Sequence, residues 1–250
     1  SPNFSLMYVI KFGGSRLRPN KDVDQSCVDF LISLVKDHPK EKFLFIIGGG
    51  YLARKLQEEG QDPLNSLFKP DEDLIEQGRD LLGIRATREN GRYLIQAMKK
   101  ANLNVSPTLL HDPTELPEDN YTIYIAGGWK PGWSTDYVAM KFAQKFNAKT
   151  VIKVSDFKYV RNVPPLSLEG MKKEDIDEQI KDADVFKDVS WKQMADLVGT
   201  KWVPGLHTPL DPLAAALGLK NKDITLYIIE ESQIVNVLNK KEVNGTIVNG

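Results

Sequence analysis

The chain has one cysteine, three histidines and no long apolar run in its 250 residues, and each scarcity removes a class of function. A single Cys27 excludes an intrachain disulfide; it falls in a helical pattern over 23–36 and reads as a small buried hydrophobe. His38, His111 and His207 have no metal-ligand spacing, so no metal-ligating residue is assigned and they read as surface or loop residues. No stretch approaches the ~20 apolar residues that span a bilayer, and the polar start, Ser1-Pro-Asn-Phe-Ser5, does not read as a signal peptide. The expectation is a cytoplasmic protein with no membrane partner. A net charge of −1 gives no electrostatic footprint for nucleic acid. The commonest nucleotide fingerprints are missing too: there is no Gly-x-x-x-x-Gly-Lys-Ser/Thr, and no Gly-x-Gly-x-x-Gly follows a strand.

What is present is three glycine-bearing turns, each after an apolar run: Tyr8-Val-Ile-Lys-Phe-Gly-Gly-Ser15, Phe43-Leu-Phe-Ile-Ile-Gly-Gly-Gly50 and Thr122-Ile-Tyr-Ile-Ala-Gly-Gly128. Glycine lets backbone approach a ligand closely, and a helix N-terminus offers free N–H groups and the positive end of a dipole. One such turn is commonplace in α/β proteins; three suggest a site for several phosphates.

Strands are predicted at Tyr8–Phe12, Phe43–Ile47, Thr122–Ala126, Thr150–Val154 and Ile224–Ile229, with a weaker candidate at Val105–Leu109. Several are apolar on both faces, as strands of a parallel sheet between helix layers are. Helical patterns near 23–36, 50–59, 73–100, 134–146, 190–198, 211–218 and 231–239 alternate with them, which argues for an α/β fold. The charged run Lys172–Asp188 reads as a solvated helix face.

Lys11, at the C-terminal end of the first strand, lies where open α/β sheets bind ligands and can neutralise a phosphoryl group; the alternative is a lysine reaching solvent. Gly13 and Gly14 supply N–H donors beside it. Arg54, one turn into the helix after Gly48-Gly-Gly50, can clamp a phosphate or stay exposed. Gly83, inside a long helical pattern, suggests close packing or a ligand approach, and Arg88 is a substrate contact or an interface ion pair. Ser134 reads as an N-cap with Thr135 and Asp136 in the first turn, and Trp129 and Trp133 beside it can face a flat base. Asp211 either caps the helix of Leu210-Asp-Pro-Leu-Ala-Ala215 or points into the site.

Together these segments resemble the amino-acid-kinase superfamily, and within it the archaeal type of uridylate kinase. The resemblance rests on Lys11-Phe-Gly-Gly-Ser15, Gly48-Gly-Gly-Tyr-Leu-Ala-Arg54, Leu82-Gly-Ile-Arg-Ala-Thr-Arg-Glu-Asn90, Gly127-Gly-Trp-Lys-Pro-Gly-Trp-Ser-Thr-Asp136, Asp211-Pro-Leu-Ala-Ala215 and Asn244-Gly-Thr-Ile-Val248, in the family's order along nearly the whole chain. It implies a three-layer α/β/α sandwich, one domain over 1–250 with an acceptor-binding half to about 148 and a donor half after it. It also implies phosphoryl transfer from ATP with Mg²⁺ to a nucleoside monophosphate, UMP foremost, in a homo-oligomer, a hexamer in the family. By resemblance Lys11 neutralises the phosphoryl group with Gly13 and Gly14 bonding to it. Gly49, Gly50 and Arg54 hold the acceptor's phosphate, Asp80 its ribose, and Thr135 contacts it. Asp211 organises Lys11 and Mg²⁺. Asp156 and Tyr159 match the family's ATP-holding segment, while Lys153 matches a lysine of bacterial members if one residue is inserted. That segment departs from the family pattern, with Phe157 where glycine stands, and Trp129 and Trp133 replace smaller or polar residues. The alternatives are a kinase for another small phosphate or carboxylate, and a non-catalytic oligomer that binds or stores an anion or nucleotide.

Overall fold

The computed structural model describes residues 3–203 and 205–250. In chain order the elements are β1 (Met7–Phe12), α1 (Gly14–Leu17), α2 (Gln25–Asp37), β2 (Lys42–Ile47), α3 (Gly50–Phe68), α4 (Glu72–Lys100), β3 (Ile123–Ala126), α5 (Thr135–Phe146) and β4 (Thr150–Val154). They continue with β5 (Val160–Arg161), α6 (Lys173–Ile180), β6 (Val185–Phe186), β7 (Asp188–Ser190), α7 (Trp191–Val198), α8 (Pro212–Lys220), β8 (Thr225–Ile229), α9 (Ile234–Leu238) and β9 (Thr246–Asn249).

Seven strands form one sheet in the order β3-β2-β1-β4-β8-β9-β7. The first five run parallel; β9 is antiparallel to β8, and β7 parallel to β9. A separate two-stranded ribbon joins β5 to β6. Because side chains alternate across a strand, each central strand feeds two cores. Met7, Val9 and Val151 face one containing α5, α7 and α8; Ile10, Phe12 and Ile152 face another containing α2, the C-terminal half of α4 and α9. This is an α/β/α sandwich, with the sheet's apolar residues sealed on both sides.

Local chemistry sets the helix starts. The side chains of Asp24, Asp71, Ser134, Ser190 and Asp211 each accept a first-turn N–H, and Ser190 with Gln193 completes a capping box. Four expectations are corrected. Val105–Leu109 forms no strand, only isolated parallel bridges from Val105 to Ile123 and from Leu110 to Ala126. The helix after Gly50 runs to Phe68, past Gly60 and Pro63, because it packs along α4: a Cβ on Gly60 would stand 2.4 Å from Leu82, and one on Gly78 2.4 Å from Leu64. The helix predicted near 231–239 is α-helical only over Ile234–Leu238, while α4 runs unbroken through Gly83 as its pattern indicated. The charged run after Lys172 is helical only as far as Ile180, then enters β6 and β7.

Candidate active site

The C-terminal edge of the parallel strands gathers the polar residues. Lys11 on β1 and Lys153 on β4 are direct neighbours in the sheet register. Both share the parity of Val9 and Val151 and therefore emerge on the α5 and α8 face. Two ammoniums side by side need a counter-charge, and α5 supplies it. Asp136 Oδ2 lies 2.7 Å from Lys153 Nζ, and Oδ1 lies 3.4 Å from Lys11 Nζ. All three side chains are 17% exposed or less, so the attraction acts largely outside water. Burial pushes the Asp136 carboxyl up, but Lys153 and then Lys11 outweigh it and hold it well below the usual carboxylate range. Burial pulls Lys153 down, opposed by Asp136.

The two lysines are held unequally. Lys153 also donates to the Pro209 carbonyl at 2.6 Å. Asp136 Oδ2 accepts a second bond, 3.1 Å from the Asp211 N–H, whereas Oδ1 has no hydrogen-bond partner among the described residues beyond its long approach to Lys11. Lys153 is thus held by two short contacts, and Lys11 by one longer one.

By resemblance the role of organising Lys11 falls to Asp211; the carboxylate that touches Lys11 is Asp136. Asp211 caps α8 through Oδ1 and accepts the Ser134 hydroxyl on Oδ2. Burial raises its carboxyl, with Ser134 opposing. Asp211 thus reaches the lysine pair through its backbone N–H.

The first two glycine turns interlock. A Cβ on Gly14 would lie 2.2 Å from Gly50 N and 2.4 Å from Gly48 C; Gly50 has φ +56° and faces the Gly14 carbonyl. Gly13 opens onto free space, and neither α1 nor α3 carries a side-chain cap at its N-terminus. Among the described residues the N–H groups of Gly13, Gly14, Gly49 and Gly50 find no acceptor, which leaves four donors at these two turns. Arg54 reaches the first turn, its Nη1 3.3 Å from Ser15 Oγ. Asn90 of α4 fixes the second turn from behind, donating to the carbonyls of Gly48 and Gly49 at 3.0 and 3.1 Å, while Arg18 donates to its Oδ1.

The third turn is tied to α4. Gly128 N–H donates to Thr87 Oγ1 at 2.7 Å, and Arg88 donates to the carbonyls of Gly128 and Trp129. Arg88 thus holds the loop. Asp80 accepts the Gly132 N–H at 3.0 Å. Thr135 opens α5 beside Asp136.

Beyond Lys153 lies a cleft of about 560 Å³ lined by Asp156, Phe157, Tyr159, Lys173, His207 and Pro209 among others. Asp156 and Tyr159 are both on its wall, and Pro209, whose carbonyl holds Lys153, joins the cleft to the lysine pair. His207 is an exposed loop residue, as expected, and stands on the cleft wall.

The amino acid kinase family model matches residues 7–230. The chain belongs to the amino acid kinase family. It is 27% identical over 251 residues to the uridylate kinase of Methanocaldococcus jannaschii, covering 98% of this chain and 100% of that one. It is 28% identical to the uridylate kinase of Pyrococcus abyssi, covering 90% of each. Among solved structures, the uridylate kinase of Archaeoglobus fulgidus superposes with a TM-score of 0.71 at 23% identity, covering 96% of this chain and 99% of that chain. The UMP kinase of Ureaplasma parvum gives 0.67 at 19% identity, over 98% and 96%. At those identities the likeness establishes the sandwich fold. For an amino acid kinase, the arrangement provides two cations bridged by one carboxylate, glycine turns with unbonded amides following the strand that carries Lys11, and a cleft on the Lys153 side.

Among the described residues no group of three or more His, Cys, Asp or Glu is placed to hold a metal. That fits Mg²⁺ delivered with a nucleotide, since Mg²⁺ takes most of its ligands from phosphate oxygens and water and needs only one or two carboxylates. Asp211, to which the resemblance gives that role, has its Oδ1 on the Leu213 N–H and its Oδ2 on the Ser134 hydroxyl.

Proposed function

We propose that this chain transfers the terminal phosphoryl group of ATP to a nucleoside monophosphate, UMP foremost, as its uridylate kinase relatives are named to do. The observation that carries the reading is the Lys11–Asp136–Lys153 bridge at the C-terminal edge of the sheet, joined through Pro209 to the 560 Å³ cleft. In-line phosphoryl transfer asks for positioning and charge neutralisation and no protein base. The cleft past Lys153, with Asp156 and Tyr159, takes the donor nucleotide. Gly49, Gly50 and Arg54 take the acceptor's phosphate, Asp80 its ribose after release of the Gly132 N–H, and Thr135 a further edge. Lys11 and the Gly13 and Gly14 amides neutralise the group in flight, and pinned Lys153 holds the leaving side. Bound Mg²⁺, held by Asp211, supplies further charge neutralisation on the phosphates.

Residues up to about 148 form the acceptor half and the rest the donor half. The protein works in the cytoplasm as a homo-oligomer, a hexamer by resemblance, with no nucleic-acid or membrane partner. α3 supports the oligomer: it has no fully buried residue in 19, and Leu67 at its end, with Leu74 and Leu81 on α4, is exposed.

The test is UMP-dependent ADP release by the wild type with ATP and Mg²⁺. Lys11→Ala is expected to lower kcat roughly 100- to 1000-fold, as removal of a single preorganised donor to developing charge does. UMP affinity measured by calorimetry should stay within about threefold, since less than half a decade is under ~0.7 kcal/mol. UMP binding without ATP binding or turnover refutes the kinase reading in favour of a nucleotide-binding oligomer. Turnover of another small phosphate or carboxylate alone refutes UMP.

A further inference from the structure

The loop between the third glycine turn and α5 carries an aromatic cluster that the chemistry above does not use. Trp129 and Trp133 meet edge to face, 4.5 Å between centroids at 85°. Trp133 in turn lies against Tyr137 at 4.2 Å and 33°, so its face is taken. Trp129 is half-buried against the core under α5, and the exposed Lys130 extends over its ring, with Nζ 4.0 Å from the centroid and 5.5 Å from that of Trp133. The loop is fixed at both ends. Arg88 holds the carbonyls of Gly128 and Trp129, and Ser134 caps α5 immediately before Thr135 and Asp136.

We propose that Trp129 is the stacking platform for the acceptor's base, with Lys130 as its placeholder when the site is empty. The proposal rests on the nucleotide-kinase reading and adds what recognises the ring. A tryptophan ring wedged between a rigid loop and the core, with a single tethered cation over it, is a preformed flat surface. An exposed ammonium over an aromatic face is a weak contact, whereas base stacking on an aromatic side chain is a stronger one, so a base displaces the lysine. Trp133, edge-on and backed by Tyr137, keeps the platform from rotating. Stacking does not read the ring's edge, so the acceptors include flat-ring monophosphates other than UMP, CMP among them. Ribose 5-phosphate, with phosphate and sugar but no ring, gains nothing from Trp129.

The experiment combines fluorescence with kinetics on the full chain. UMP should quench tryptophan emission in the wild type, and ribose 5-phosphate should not. Trp129→Leu should raise KM for UMP by about tenfold, the scale of one lost base–aromatic stack, with kcat within about twofold. Trp129→Phe should restore KM while abolishing the quench, which assigns the signal against buried Trp191 and exposed Trp202. A far-ultraviolet dichroism spectrum identical to wild type confirms that each variant is folded. Turnover of UMP with KM unchanged in folded Trp129→Leu, or with an equal rise for ribose 5-phosphate, overturns the platform and leaves the kinase reading standing. UMP quenching without turnover sinks the kinase reading and keeps the platform; no UMP response of either kind ends both.

Discussion

Replacing Asp136 with asparagine tests the site's electrostatics most directly. The substitution keeps shape and one acceptor oxygen but removes the only carboxylate in contact with both Lys11 and Lys153 among the described residues. Two ammoniums, 17% and 14% exposed, are then left facing each other. Removing one partner of a buried ion pair costs ~3–5 kcal/mol. The lower end applies, because Lys153 already has its proton loosened by burial and sheds it more readily without Asp136. The expected loss is therefore about 3 kcal/mol at pH 7, read by urea unfolding at fixed protein concentration. The sign with pH follows from linkage. A lysine whose folded pKa lies below its unfolded value binds more protons unfolded, so stability rises with pH between the two values. The gap between Asp136→Asn and wild type should therefore narrow from pH 7 to pH 9. At the acid end Asp136 acts in reverse. Its folded pKa is depressed, so its contribution is present above the unfolded value of about 4 and is lost as pH falls below it. Below that point the two proteins should converge. A variant within about 1 kcal/mol of wild type at pH 7, a gap of the scale seen for exposed pairs, with no dependence on pH, refutes the bridge.

Two further outcomes follow from packing. Gly14→Ala puts a methyl 2.2 Å from Gly50 N, with backbone as the obstacle, so a loss of about 3 kcal/mol or more is expected by thermal or urea unfolding, with turnover falling alongside. A soluble variant with wild-type stability would show that the two turns do not interlock. Cys27 is fully buried, and its thiol is pushed up to about 12 mainly by burial, so a thiol reagent at pH 8 should label it only after unfolding in urea. Rapid labelling of the native protein contradicts the packing of α2.

The central sheet was legible because apolar runs such as Phe43–Ile47 leave the chain no choice but burial on both faces, and the following glycines mark where each run ends. Helix starts were legible for the same kind of local reason: Ser134 and Asp211 cap where their sequence says they should. What failed to show depended on partners far along the chain. β7 spans three residues and β9 four; a resemblance marked β9, but no periodicity distinguishes so short a piece from a loop until pairing fixes it. α3 overran its apparent stop because Gly60 and Pro63 are breakers in isolation, whereas here the glycine admits Leu82 of the neighbouring helix.

Asp136 is the instructive omission. Locally it is an acid in the first turn of a capped helix, a placement that its favourable interaction with the helix dipole explains completely. Its role appears only when β1 and β4 are known to be adjacent, parallel and in register. Yet the sequence carries the clue twice, in Val9-Ile10-Lys11 and Val151-Ile152-Lys153. Two strands that bury Val and Ile on opposite faces and carry lysine next must, if paired in parallel register, set both ammoniums on one face at the same height. Such a pair is self-repelling in a low-dielectric setting, so folding demands a shared anion. Among the described residues that anion is Asp136. On the kinase reading proposed above, polyphosphate competes for the same two lysines, and the one it would draw away is the one held at 3.4 Å, Lys11, while Lys153, bonded to both Asp136 and Pro209, would stay. On that reading the unequal hold on the two lysines is what would let Lys11 move with the transferring group.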